Sequence, residues 1–190
     1  MSAKNPELRQ DIVSSEWILV APSRRHRPNY FITQKERPAA KSACPFEDPQ
    51  KSGNSFPISW YSKNGLERST VTSNWLLQVI PNKFPAVVLH SGACPHALPY
   101  GLYHHMAGVG FHEVLVYRSH SKFLADMSPP EAEFVIRAYQ DRFLAHKKEK
   151  CLEYIFIFHN HGSAAGASVW HPHSQIIALP IVPPDVARSL

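Results

Sequence analysis

The residues best suited to chemistry lie in "ASVWHPHSQIIALP", 167 to 180, where His171, His173 and Gln175 recur at a strict period of two. In an extended strand, residues two apart share a face, so two imidazoles and a carboxamide project together, roughly 6 to 7 Å apart along the chain. A bare pair of strand histidines is commonly a surface feature. Here the pair follows "GSAAGAS", whose small side chains let backbone amides come close to an anion. Imidazole beside an amide-rich turn is the equipment for nucleophilic attack on a phosphoryl group.

A basic cluster, "SRRHRP", directly follows an early apolar strand and suits one phosphorylated ligand better than a polyanion. The formal charge of +5 is otherwise scattered, with "HKKEK" at a helix end, where cations favour the dipole. Nucleic acid is therefore not an expected partner.

The elements that must position these groups are legible in part. "FHEVLVY", 111 to 117, alternates as a strand, and "EYIFIFH", 153 to 159, and "HSQIIALP", 173 to 180, are two more. "WLLQVIPNKFPAV", 75 to 87, reads as a buried strand ended by a Pro and Asn turn, and residues 10 to 21 read as a small hairpin. "SPPEAEFVIRAYQDRFLAHKKEK" is a helix: Ser128 caps it, Pro129 suits its first turn and Glu131 completes a capping box. Val135, Tyr139, Arg142 and Phe143 follow at helical spacing and are expected to face a sheet. Residues 23 to 74 and 90 to 110 read as irregular, and His96, His104, His105 and His112 are assigned to or near the second of these stretches, with no metal site read from their spacing. The chain ends on a strand running into the opening of a helix, which reads as truncation. The pattern predicts an α+β domain over 1–190: an antiparallel sheet crossed by one long helix.

With 44% hydrophobic and 18% charged residues, the composition is globular, and 190 residues bury a sizeable core without staples. Cys44, Cys94 and Cys151 are odd in number, far apart and follow no apolar leader, so a disulfide framework is not expected and a reducing cytoplasm is. No apolar run approaches the ~20 residues of a membrane span.

"NHGSAAGASVWHPHSQIIALP" resembles the active-site segment of the galactose-1-phosphate uridylyltransferase family, in the histidine triad superfamily. The resemblance continues, in the family's order, through "DIVSSEWILVAPSRRHRP", "ACPF", "PNKFPAV" and "GFHEVLVYRSHSKFLADMS". "HPHSQ" and "ALPIVPP" are also similar to the plant-type branch acting on ADP-glucose, so the nucleotide stays open. The resemblance implies a histidine-triad-like fold and the first of the family's two halves, with the second half absent. It implies that His173 attacks the α-phosphorus of a nucleoside diphosphate sugar and that Gln175 donates to the phosphoryl oxygens. Hexose 1-phosphates are the implied leaving group and acceptor, and a homodimer is the implied full-length form. Ser168, Gly162 and Gly166 fall at phosphate-binding positions. Arg24 and Arg27 lie near the nucleotide, and Asn82, Phe84 and Asn160 line base and ribose. Zinc is the implied metal, on Cys44, His120 and His171, with Glu47 where the family often has a second cysteine. Uridylyl transfer between hexose 1-phosphates leads. An ADP-glucose phosphorylase-like adenylyltransferase and a nucleotide-binding module with little turnover are the alternatives.

Overall fold

A computed structural model describes residues 5–26, 40–67, 73–162 and 165–189. In chain order the strands are β1 (Glu7–Asp11), β2 (Trp17–Val20), β3 (Ser59–Ser62), β4 (Gly65–Glu67), β5 (Leu77–Pro81), β6 (Leu98–Tyr100), β7 (Tyr103–Ala107) and β8 (Phe111–Tyr117). The long helix α1 (Pro129–His146) follows, then β9 (Tyr154–Phe158), β10 (His173–Leu179) and the single-turn α2 (Pro184–Ala187).

All named strands pair antiparallel, in a six-stranded sheet of order β4-β3-β5-β8-β10-β9 and a four-stranded sheet of order β2-β1-β7-β6. The expected α+β architecture holds, with two differences. The stretches read as irregular contribute β3, β4, β6 and β7, and β6 and β7 complete a second sheet. The N-terminal hairpin begins at Glu7 rather than at residue 10.

Alternation divides the large sheet cleanly, as the two-residue period requires. Tyr61, Leu77, Val79, Leu115, Tyr117 and Ile176 face α1 and pack on Val135 and Ala138. Trp60, Ile80, Val114 and Val116 face the opposite way and pack with Cys44, Phe46 and Trp75. His173 and Gln175 belong to this second face, while Ser174, between them, points toward the helix.

Helix α1 starts where expected, with the Ser128 backbone N–H donating to Glu131 Oε2 at 2.8 Å. Its sheet-facing stripe is not purely apolar. Arg142 turns inward onto Glu113, and Phe143, expected in the stripe, is 42% exposed. An inward arginine at 142 satisfies the buried carboxylate, and the neighbouring position is left on the solvent side.

Gly110 leads into β8 with φ +146, and a Cβ there would stand 1.9 Å from the Ala178 carbonyl oxygen. Only glycine permits β10 to approach this closely.

Cys94 and Cys151 are joined as a disulfide, although no disulfide framework is expected from the sequence. Their separation of 57 residues carries no local signal. The bond joins the loop before β6 to the segment after α1. Cys44 remains a buried thiol.

Candidate active site

His173 opens β10, between β8 and β9, and is buried together with Gln175. Its Nδ1–H donates to the His171 carbonyl at 2.8 Å, which leaves the lone pair on Nε2. The Phe46 ring meets the imidazole edge to face at 5.1 Å and fixes its plane. Behind the strand, Ser174 Oγ is hydrogen-bonded to Tyr117 OH and, at 2.5 Å, to Tyr139 OH, which ties β10 to β8 and α1. Burial pushes the Tyr117 phenol well up, so it stays a neutral partner in this network.

A pocket of 320 Å³ opens on this face, lined by Phe46, Asn82, Phe84, Ser168, His173 and Gln175 among others. It therefore unites five of the expected site residues with the ring that orients His173. Arg24 stands nearby, donating from Nη1 to the Phe84 carbonyl at 2.6 Å, so it braces the Asn82 to Phe84 turn. Asn160 is half-buried just beyond β9 and does not line the pocket. Gly162 and Gly166 both adopt left-handed φ, +76 and +78. The Ala167 amide is spent on the Gly162 carbonyl at 3.1 Å and is not turned outward. Arg27 lies outside the described residues.

His112 joins the site, although its stretch of sequence reads as the border of a loop. Gln175 pairs with Val114 on β8, and His112 stands two residues along on the same face. The Ala86 N–H donates to His112 Nδ1 at 3.0 Å, so the proton must sit on Nε2. That N–H then donates to Gln175 Oε1 at 3.0 Å. Asn82 Oδ1 accepts from the Phe84 N–H at 2.9 Å, which turns Asn82 Nδ2 toward the same Gln175 oxygen at 3.4 Å. The nearer approach of Asn82 Nδ2 to His112 Nε2, 3.1 Å, places two donors side by side and is not a bond. With its carbonyl oxygen held on this side, Gln175 is left to present its NH2 as a donor. The clue was the alternation of "FHEVLVY", which puts His112 on the face of Val114 and Val116.

A second cluster adjoins the first. His171 Nε2–H donates to the Tyr117 carbonyl at 2.6 Å, turning Nδ1 toward Cys44 Sγ at 3.4 Å and His120 Nδ1 at 3.3 Å. Glu47 Oε2 lies 3.1 Å from His120 Nδ1 and 3.9 Å from His171 Nδ1. Zn–N bonds of about 2.0–2.1 Å and Zn–S of about 2.3 Å separate neighbouring donors of a tetrahedron by roughly 3.3 to 3.7 Å. The Cys44–His171 and His171–His120 approaches match this spacing, and the three donor atoms all lie within 4.8 Å of one another. Glu47 meets His120 and His171 at the edge of this group. Arg118 donates to the Glu47 carbonyl at 3.0 Å and lies over the Trp75 ring, fastening the 44–47 loop to the sheet. Burial pushes the Cys44 thiol up and the His171 imidazole down, so both are neutral here. A bound cation would reverse the bias on the thiol.

An antiparallel sheet that carries two histidines and a glutamine on one face and a long crossing helix on the other is the architecture of the histidine-triad class. The model of one family in that class, described as galactose-1-phosphate uridyl transferase, N-terminal domain, matches residues 2–183, and the chain belongs to that family. It is 32% identical over 193 residues to ADP-glucose phosphorylase of Arabidopsis thaliana, covering 98% of this chain and 52% of that protein. It is 28% identical over 179 residues to galactose-1-phosphate uridylyltransferase of Thermotoga maritima, covering 93% of this chain and 48% of that protein. Among solved structures, it is similar to a uridylyltransferase mutant, with TM-score 0.63 and 25% identity over 96% of this chain and 48% of that one. It is also similar to the A. thaliana ADP-glucose phosphorylase crystallised with bound ADP-glucose, with TM-score 0.57 and 29% identity over 97% and 52% of the two chains. The chain thus spans about half the length of the relatives it matches.

Proposed function

We propose that this chain carries the nucleotidyl-transferring site of a nucleotide-sugar enzyme. The observation supporting it most directly is the His173 imidazole, whose Nδ1–H is held by a backbone carbonyl so that Nε2 carries the nucleophilic lone pair, beside a pocket shared with Gln175 and Ser168. His173 Nε2 attacks the α-phosphorus of a nucleoside diphosphate hexose. The P–O bond to the β-phosphate breaks, hexose 1-phosphate leaves, and a nucleotidyl-histidine remains. A phosphate oxygen of the acceptor then attacks the same phosphorus and restores the imidazole. The Gln175 NH2 donates to the non-bridging oxygens during both steps. Ser168 and the 162–167 turn bind the β-phosphate, and Arg24, Asn82 and Phe84 shape the nucleoside end.

Uridylyl transfer to a hexose 1-phosphate is the leading reading. The adenylyl reading, with ADP-glucose as donor, has its own support in the 32% identity to the Arabidopsis phosphorylase. Mass spectrometry after incubation with UDP-glucose or ADP-glucose tests both: an adduct on His173 from one donor assigns the base, and none from either removes the transferase reading.

His112 acts as a positioning residue for Gln175. Replacing it with Phe should slow adduct formation about 10- to 100-fold, less than the 10²–10³ typical of deleting a transition-state donor outright. Nucleotide affinity should change little, and His112→Gln, which keeps a donor, should recover part of the rate. Equal losses for both variants would mean that packing, not the hydrogen bond, is what matters.

Cys44, His120, His171 and Glu47 would hold zinc in a structural role, since four protein ligands leave no position for water. Held there, the metal would anchor His171, whose carbonyl orients His173. Glu47→Ala should weaken zinc at least about 10-fold and lower the thermal midpoint, read by metal analysis after chelator challenge and by a melt. Full zinc retention would remove Glu47 from the ligand set.

A further inference from the structure

His90, Cys94 and Cys151 form a further cluster, separate from that of Cys44, His120 and His171. Their donor atoms, one ring nitrogen and two sulfurs, all lie within 4.8 Å of one another. His90 Nε2–H donates to the Gly92 carbonyl at 2.8 Å, which puts the lone pair on Nδ1. Ligating imidazoles are held in this way, by a backbone carbonyl on the nitrogen opposite the metal. An imidazole beside two cysteine sulfurs is a donor combination that recurs in zinc sites. All three residues are half-buried, open enough for an ion or a small thiol to reach. In the sulfur-bonded form they cannot ligate, but as thiols the same atoms lie within a short side-chain rotation of the roughly 3.3 to 3.7 Å donor spacing of a tetrahedral zinc site.

We propose that His90, Cys94 and Cys151 form a site for a thiophilic divalent cation, zinc in the first instance, filled when the two sulfurs are thiolates and vacated when they are joined. Binding releases the two thiol protons, and water or another donor completes the fourth position. A disulfide oxidant such as glutathione disulfide takes two electrons from the thiolate pair, becomes two thiols and frees the cation. Metal or disulfide thus ties the loop before β6 to the segment after α1, and the redox state selects which. The proposal is independent of the transferase reading.

The test uses the chain reduced with a phosphine, stripped by a chelator and titrated without air, first with cobalt(II) and then with zinc. In a Cys44→Ala background one equivalent should remain, with sulfur-to-cobalt charge-transfer absorption. Cys94→Ser or Cys151→Ser should abolish it, His90→Ala should weaken it at least 10-fold, and prior treatment with glutathione disulfide should prevent it. Should the Cys44→Ala chain not fold, Cys94→Ser in the wild-type background gives the same reading by difference, as the loss of one equivalent. No thiolate-bound cobalt in the reduced chain, or binding that survives Cys151→Ser or oxidation, would overturn the proposal.

Discussion

His173→Ala should form no nucleotidyl adduct and transfer at least ~10³-fold more slowly, a loss of more than about 4 kcal/mol of transition-state stabilisation. The expectation rests on geometry. The 2.8 Å bond to the His171 carbonyl, the Phe46 ring and the Ser174 network together hold one tautomer and one ring plane. Near-attack placement of this kind accounts for a large share of a phosphoryl-transfer barrier, because the nucleophile no longer has to be oriented in the transition state. The variant should still bind nucleotide, since Asn82, Phe84 and Ser168 are untouched, and that separates lost chemistry from lost binding. Rate measurement with peptide mapping of the adduct decides the matter. An adduct that persists in His173→Ala, on His171 for example, would reassign the nucleophile.

The central strands, the helix and the spacing of the histidine pair were legible in the sequence because each has a strong local signal. β8 and β10 are seven-residue, largely apolar runs long enough to read as strands, and Ser128 and Glu131 form a capping box. β3 is buried on both faces, so "SWYS" shows no alternation to read. β4 and β6 have three residues each, and β6 contains Pro99, which fits a sheet edge but reads as a loop. The role of His112 is not legible in the sequence for a different reason. Its role depends on which carbonyl needs a donor, and that is settled by the register of β10 on β8 and by the Ala86 amide. The pairing of Cys94 with Cys151 is likewise a property of the assembled fold. The grouping of Cys44, His120 and His171 was readable only through resemblance, since they share no spacing that a single element would impose.

On the helix side of the sheet, Glu113→Ala should be among the most damaging substitutions for stability. Glu113 is 2% exposed and accepts from Arg142 Nε at 2.8 Å and Nη2 at 2.7 Å, with His146 Nε2 at 3.1 Å. Burial alone would push the carboxyl up, but the bonds from His146 and Arg142 outweigh it and hold Glu113 below the usual carboxylate range. Removing the carboxylate strands a guanidinium between sheet and helix, and breaking one side of such a pair costs about 3–5 kcal/mol. At roughly 2–4 °C per kcal/mol for a domain of this size, the midpoint should fall by about 10 °C. The pH dependence has a defined sign. A depressed folded-state pKa gives a contribution that is complete above the unfolded value of about 4.3 and is lost as pH falls through the folded value. The gap between wild type and variant should therefore narrow on acidification, which urea titrations at neutral and acid pH will show. Glu113→Leu combined with Arg142→Met should recover much of the loss, because the pair is then replaced by packing rather than broken. If the double variant proved as unstable as Glu113→Ala, desolvated charge would not be the source of the damage, and the cost would have to lie in how α1 seats on β8.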